Sequence, residues 1–197
     1  MERRRLLACL PAALVAAAAP ALAAGAAAKE DRPPAQDDTF DQDSVLRDAE
    51  QFFGRSTEGL AKVNEKAFRE QGRPNAYVKG EEVAGAIAVG LRYGNGTLVL
   101  KEGKPRPVWW TGPSIGFDLG ANASKVFVLV YHLPRPGALF QRFPGVDGSF
   151  YFVGGAGINY QQRDRIVLAP IRLGVGLRTG ASVGYMHYTA KKTYNPF

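Results

Sequence analysis

Four charged residues stand on strand faces whose other side chains are small, and they are the first candidates for binding chemistry. They are Arg92, Asp118, Arg172 and Arg178. A carboxylate and a guanidinium on the wall of a small polar pocket can form a charge-assisted pair and hold a ligand between them. Alternatively, these faces lie outside the fold and are solvated, with the neighbouring glycines relieving strand curvature. The sequence leaves both interpretations open.

Two adjacent tryptophans form a second candidate site. Trp109 and Trp110 follow a loop that carries Lys101, Lys104 and Arg106. Aromatic rings beside cations are suited to stacking on a sugar or a lipid headgroup, which would make the pair an aromatic rim of a ligand site. The alternative use of such rings is to plug the end of a barrel.

The sequence contains no pattern that predicts catalysis. Ser114, His132 and Asp118 supply the side chains of a triad, but nothing in their spacing orients them. The adjacent acids Glu81 and Glu82 point to opposite faces of a strand, so they make a poor acid and base couple for a hydrolase of an envelope polymer. Two His and one Cys are too few for a Cys/His zinc site or a disulfide framework. We therefore expect no enzyme activity, no catalytic residue, no metal site and no cofactor.

The N-terminus has the three-part layout of a secretory signal peptide. Three arginines precede an uncharged stretch from Leu6 to Ala19, and Ala21-Leu22-Ala23 forms a cleavage signal. We expect residues 1–23 to be removed on export, and Cys9 with them. No later stretch is long and apolar enough for a spanning helix. The full chain has a net charge of +7, and the loss of residues 1–23, which carry three arginines and one glutamate, leaves +5. For a basic exported protein, an anionic lipid or an acidic partner is a better expectation than nucleic acid.

The rest of the chain divides into three parts. Residues 24–43 are rich in Ala, Pro and Asp without apolar periodicity, and they predict a flexible linker. Residues 44–73 have two apolar stripes at helical spacing, with Asp43 or Ser44 as the first cap, and they predict a helical arm. Residues 74–197 alternate or carry apolar runs between glycines, and they predict a domain made of β-strands.

The β domain contains about eight short strands at even spacing. We predict turns at Gly94-Asn95-Gly96 and Gly112-Pro113, a bulge at Gly154-Gly155 and a final hairpin about Thr179-Gly180. Lys125 to Leu133 is apolar on both faces, which predicts a strand covered on both sides. The pattern favours a small closed or nearly closed antiparallel β-barrel, and it leaves a two-layer sandwich as the alternative.

Several segments together resemble one known family. They include Pro74-Asn75-Ala76-Tyr77-Val78-Lys79-Gly80, Gly90-Leu91-Arg92-Tyr93-Gly94, Trp110-Thr111-Gly112-Pro113-Ser114-Ile115-Gly116-Phe117-Asp118, Arg142-Phe143-Pro144-Gly145-Val146 and Leu168-Ala169-Pro170-Ile171-Arg172. These segments are similar to the EipA family of periplasmic envelope-integrity proteins, and the likeness extends over Ser44 to Phe197. A shorter likeness, through Gly94, Gly96 and Trp110 to Ser114, is to the SYLF lipid-binding domains.

The resemblance implies a small water-soluble β-barrel with a helical N-terminal region that helps to keep the Gram-negative envelope intact, in connection with lipopolysaccharide. The family has no accepted catalytic residues, so none is transferred to this chain. We expect a monomer that binds an envelope component, such as an anionic lipid, lipopolysaccharide or a glycan, or an envelope protein. The SYLF likeness gives the alternative of a lipid-binding module at a membrane surface.

Overall fold

The computed structural model describes residues 38–118, 123–174 and 184–193, without the side chains of 84–89 and 114–118. The expected signal peptide, most of the expected linker, the turn at Thr179-Gly180 and Arg178 lie outside the described residues. The backbone of Asp118 is described, but its side chain is not.

Two helices come first, and each has a side-chain cap at its N-terminus. α1 (Gln42–Phe53) begins after Asp41, whose carboxylate accepts a backbone N–H three residues further on, at 2.9 Å. It ends at Gly54, where φ is +75°. α2 (Glu58–Gln71) begins after Thr57, whose hydroxyl caps it in the same way at 3.1 Å. These caps satisfy backbone donors that a helix leaves unpaired at its first turn. The first cap is Asp41, two residues before the predicted position.

The described strands form one antiparallel sheet. The strands are β1 (Ala76–Leu100), β2 (Arg106–Asp118), β3 (Ser124–Tyr131), β4 (Arg142–Pro144), β5 (Tyr151–Val153), β6 (Ala156–Ile158), β7 (Gln161–Arg163), β8 (Ile166–Leu173) and β9 (Tyr185–Thr189). In sheet order the neighbours are β4-β9-β2-β1-β3-β8-β6-β5, and β7 also pairs with β8. A bridge between Gly145 and Gln161 joins the end of β4 to the start of β7. The sheet therefore curls into a nearly closed barrel. The predicted fold class is confirmed, with nine described strands where the pattern predicts about eight.

The longest strand explains why two predicted turns are wrong. β1 pairs with β3 along Ala76 to Glu82 and with β2 along Ala86 to Leu98, so it continues through the predicted turn at Gly94 to Gly96. A Cβ on Gly80 would collide with the backbone of Asn95 and Gly96. The glycines are needed here because the two halves of β1 cross in backbone contact, and not because the chain reverses. In the same way, β2 continues through the predicted turn at Gly112-Pro113.

One further prediction about strand connections is wrong, and a second, whose turn lies outside the described residues, does not hold for the described parts of its two strands. Gly154 and Gly155 have φ of +55° and +79° and form the turn of the β5–β6 hairpin, where the pattern predicts a bulge inside one strand. The predicted final hairpin would pair β8 with β9. The described part of β8 pairs instead with β3, β6 and β7, and β9 pairs with β2 and β4. The alternation of side chains in β9 is compatible with pairing to β8 or to β2. The buried side chains of β9, Met186 and Tyr188, lie in the same apolar cluster as Trp110.

The sheet buries apolar side chains on both faces. β3 alternates between the two sides and is buried on both, as its apolar run predicts. The outer core lies between the sheet and the helices, and it includes Val45, Leu60, Val63, Phe127, Leu129 and Ile171. The inner core lies inside the curled sheet, and it includes Val78, Leu98, Val126, Val128, Phe143 and Tyr188.

Candidate functional site

A buried charge cluster lies on the inner face of the barrel. It consists of Glu82, Arg172 and Arg92, with exposed side-chain fractions of 4%, 14% and 7%. Nε of Arg172 donates to Oε1 of Glu82 at 2.6 Å, and the Nη2 of the same arginine donates to Oε2 at 3.2 Å. Nε of Arg92 lies 3.6 Å from Oε1 of Glu82. One carboxylate therefore holds two guanidiniums inside the barrel, one of them by a two-point contact.

The strand register explains why these side chains meet. Glu82 points to the same face of β1 as the inner-core residue Val78, four residues earlier. Arg172 points to the same face of β8 as Leu168. β1 and β8 flank β3, where Ser124 is the partner of Glu82 and Val126 is the partner of Arg172. The two charged groups thus reach each other across the inner face of β3.

Electrostatics favour the charged form of the pair. Burial alone would raise the pKa of Glu82, but the positive charges of Arg172 and Arg92, together with the hydrogen bonds from Arg172 and Trp110, outweigh it and lower the pKa to about 2. Burial alone would lower the pKa of Arg172, and the Glu82 carboxylate more than reverses this effect. The cluster is consequently ionised at neutral pH. Arg172 donates a third hydrogen bond, from Nη1 to Oδ1 of Asn159 at 3.2 Å.

Trp110 contacts this cluster from β2. Its side chain is 3% exposed, and its indole Nε1 donates to Oε2 of Glu82 at 3.3 Å. The ring covers Gly94, its partner in the β1–β2 register, and its centroid lies 5.9 Å from that of Tyr188. The alternation of β2 turns Trp110 inward, so its ring is buried and not exposed at a surface, and its role in binding a ligand stays a prediction. Trp109 faces the other way and is half-buried.

The structure brings together two of the four residues proposed for a polar pocket. Arg92 and Arg172 are buried beside one carboxylate, and that carboxylate is Glu82. The side chain of Asp118 and all of Arg178 lie outside the described residues, so their proposed roles stay predictions. Sequence reasoning missed Glu82, although one signal was present. Glu82 is separated by even numbers of residues from Ala76 and Val78, so its side chain lies on the same face of β1 as these two buried residues. Glu81 is exposed.

A cavity of about 510 Å³ opens on the opposite side of the same strands. We call it the Trp109 cavity, and its lining includes Glu81, Val83, Tyr93, Asn95, Trp109 and Lys192. Asn95 and Trp109 are direct partners across the β1–β2 pair, and Tyr93 is two residues along the same face. Gly94 and Trp110 form part of the wall, so the cavity shares a strand layer with the buried charge cluster.

A second cavity, of about 520 Å³, is lined by two arginines. We call it the Arg142 cavity; its lining includes Arg142, Arg163, Asp164 and Tyr185. The Arg142 guanidinium lies 5.4 Å from the centre of the Tyr185 ring, and Arg163 donates to the Arg142 carbonyl at 3.4 Å. Burial, together with the Arg142 charge, lowers the pKa of the neighbouring His187.

No group of three or more His, Cys, Asp or Glu side chains among the described residues is arranged to hold a metal ion. No helix in the described part of the chain has the length and apolar character that a membrane crossing needs.

The family profile described as "EipA: Envelope integrity protein A" matches residues 38–197. The chain belongs to the EipA family. The match covers both helices and all nine described strands, so the family resemblance in the sequence is confirmed. The family description names envelope integrity and no reaction.

A crystal structure of a protein from Brucella abortus has the same fold. It is described as a beta-barrel-like, uncharacterized protein, and its sequence is 43% identical to this chain. The alignment covers 81% of this chain and 99% of that one, with a TM-score of 0.75. A search of curated proteins found no match. The comparisons thus give a family and a fold, and the two descriptions name no ligand.

Proposed function

We propose that this protein is a non-enzymatic periplasmic factor that supports the integrity of the Gram-negative cell envelope by binding an envelope component. The observation that carries the proposal is the family match over residues 38–197, since the family is described by envelope integrity. The descriptions of the family and of the solved relative name no reaction, which agrees with a binding role.

The geometry supports binding by a preformed surface. Ligand sites are commonly cavities of about 300–1,000 Å³ lined by aromatic side chains and a few polar groups. The Trp109 cavity, at about 510 Å³, has this composition. The buried charge cluster beneath it is held by several directional contacts to Glu82, so the strands that carry the cavity are fixed to one another.

Complementation of a deletion strain tests the proposal. The strain should become sensitive to detergents and to antibiotics that an intact envelope excludes. Expression of the wild-type chain should restore resistance. A chain lacking residues 1–23 should be stable in the cytoplasm and fail to restore it, because it is not exported. Unchanged resistance in the deletion strain, or full rescue by the chain without residues 1–23, would overturn the proposal.

The cellular location and the first residue of the mature protein provide a second test. We expect osmotic shock to release a protein whose intact mass corresponds to a first residue at Ala24. A lipid adduct on Cys9, or a released form that retains residues 1–23, would contradict the expected processing.

A further inference from the structure

We propose that the Trp109 cavity binds a neutral glycan, and this inference rests on the proposed function because it names the class of envelope component. The cavity is a site on the outward face of β1 and β2, distinct from the buried charge cluster on their inward face. Three features of its described lining support the inference. They are the pair of aromatic rings, the equal numbers of positive and negative charges, and the rigid floor formed by Trp110.

The aromatic rings are placed as a stacking surface. Trp109 and Tyr93 lie on the same face of neighbouring strands, as the diagonal pair next to the Asn95–Trp109 register. Diagonal neighbours on one face are about 7–8 Å apart, close enough for two rings to border one ligand. Both residues are half-buried and line the cavity, so each leaves part of its surface open to a ligand. An aromatic face of this kind packs well against the C–H face of a pyranose ring.

The polar lining favours hydroxyl groups over an anion. The described lining carries one carboxylate, Glu81, one ammonium group, Lys192, and the amide of Asn95. These groups supply both donors and acceptors, which a sugar hydroxyl uses at the same time. Their formal charges cancel, and a phosphate would meet the Glu81 carboxylate. An anionic headgroup is better matched by the Arg142 cavity, whose lining carries Arg142 and Arg163 against one acid.

The floor of the cavity is rigid. Trp110 follows Trp109 directly, and its indole is fixed by Gly94, Tyr188 and the hydrogen bond to Glu82. A Cβ at Gly94 would collide with this ring, so the close fit depends on glycine. A site held in its bound geometry loses little conformational freedom on binding.

The test uses the full exported protein and soluble glycans. Maltotriose, cellotriose and chitotriose serve as neutral probes, with inorganic phosphate and vesicles containing phosphatidylglycerol as anionic probes. The chain has two tryptophans, so quenching that disappears in Trp109→Phe is assigned to Trp109. Calorimetry measures affinity independently of fluorescence. Circular dichroism and thermal melting establish that each variant is folded.

We expect at least one neutral probe to bind with saturation. Trp109→Ala should weaken this binding about tenfold or more, as is usual for a central aromatic contact, and Trp109→Phe should restore most of it. Glu81→Gln should weaken it to a smaller extent. Arg142→Ala, in the other cavity, should leave it unchanged.

Several results would overturn the glycan site without touching the envelope role. These are no binding of any neutral probe by the folded protein at millimolar concentration, unchanged binding by Trp109→Ala, or binding restricted to phosphate or vesicles. Loss of binding to vesicles in Arg142→Ala would assign the ligand to the Arg142 cavity instead. The proposed function fails separately, through complementation of the deletion strain by a chain that is not exported.

Discussion

The outer core and the inner core lie on opposite faces of the same strands, yet they place their carboxylates differently. In the outer core the carboxylates stay at the edge. The Tyr77 hydroxyl donates to Asp48 at 2.6 Å, the Tyr160 hydroxyl donates to Glu70 at 2.7 Å, and both acids are partly exposed. In the inner core, Glu82 is ionised and 4% exposed.

The difference follows from what closes each core. Two amphipathic helices cover the outer core with their apolar stripes, so its carboxylates can lie where water begins. The inner core is closed by the sheet itself. Gly80 and Gly94 on its inward face leave room for the Trp110 ring, whose indole donates to Glu82. Apolar packing tolerates small changes of shape, whereas a buried ion pair is favourable only with its full set of partners. The inner core should therefore be the more specific and the more fragile of the two.

Removal of the shared carboxylate should have the largest effect. Glu82→Gln removes the buried carboxylate that Arg172 and Arg92 share, which should lower the free energy of unfolding by about 3–5 kcal/mol. Urea unfolding measures this difference. Glu81→Gln is the matched control, because Glu81 is the exposed neighbour in sequence, and it should change stability by less than about 0.5 kcal/mol. Equal stability of the two variants would show that the cluster contributes little.

A substitution that leaves an empty space in the outer core should lower the free energy of unfolding slightly less. Leu60 on α2 is fully buried against the sheet, so Leu60→Ala should destabilise the protein by about 2–4 kcal/mol through lost contacts and residual empty space. Leu60→Met keeps the volume and should cost less than about 1.5 kcal/mol. If Leu60→Ala costs more than Glu82→Gln, the outer core is the more fragile and the comparison is reversed.

Acid should remove the stabilisation that the ionised carboxylate of Glu82 gives to the inner core. The pKa of Glu82 is lowered from 4.5 to about 2 in the folded protein. Its ionisation therefore stabilises the fold above about pH 5, and this contribution is lost as the pH falls towards 2. The stability difference between the wild type and Glu82→Gln should shrink by on the order of 2 kcal/mol over this range. Urea unfolding midpoints at several pH values measure this stability difference. If the difference stays constant with pH, Glu82 is not ionised in the folded protein.

The edge of the outer core should give the smallest effect. Tyr160→Phe removes the hydrogen bond to Glu70, but Glu70 keeps its contact with Lys66 and part of its hydration. The expected loss is about 0.5–1.5 kcal/mol by urea unfolding. Tyr151→Phe, at an exposed ring that Lys66 also contacts, should be close to neutral. A loss as large as that of Glu82→Gln would mean that the outer core also depends on a buried polar contact.

Local patterns predicted the parts of the fold that depend on neighbours along the chain. The two helices follow from apolar spacing between Gly54, Gly72 and their caps, and the burial of β3 on both faces follows from its unbroken apolar run. Turn prediction failed where glycine had another purpose. Gly94 makes room for the Trp110 ring, and Gly80 and Gly96 allow two halves of one strand to touch. The local sequence shows each of these three glycines, but it does not show the ring or backbone that comes close to it in the fold.

The sequence by itself determined the class of the protein, an N-terminal helical pair followed by an antiparallel barrel of the EipA family. It also identified Arg92 and Arg172 as unusual charges on faces of small residues. Only the tertiary structure decided that both are buried, that Glu82 is the carboxylate between them, and that Trp110 lies inside while Trp109 borders a cavity. The physical reason is distance along the chain: Glu82 and Arg172 are 90 residues apart and meet only because β1 and β8 flank the same strand. Alternation fixes which side chains share a face, and the order of strands fixes which faces meet.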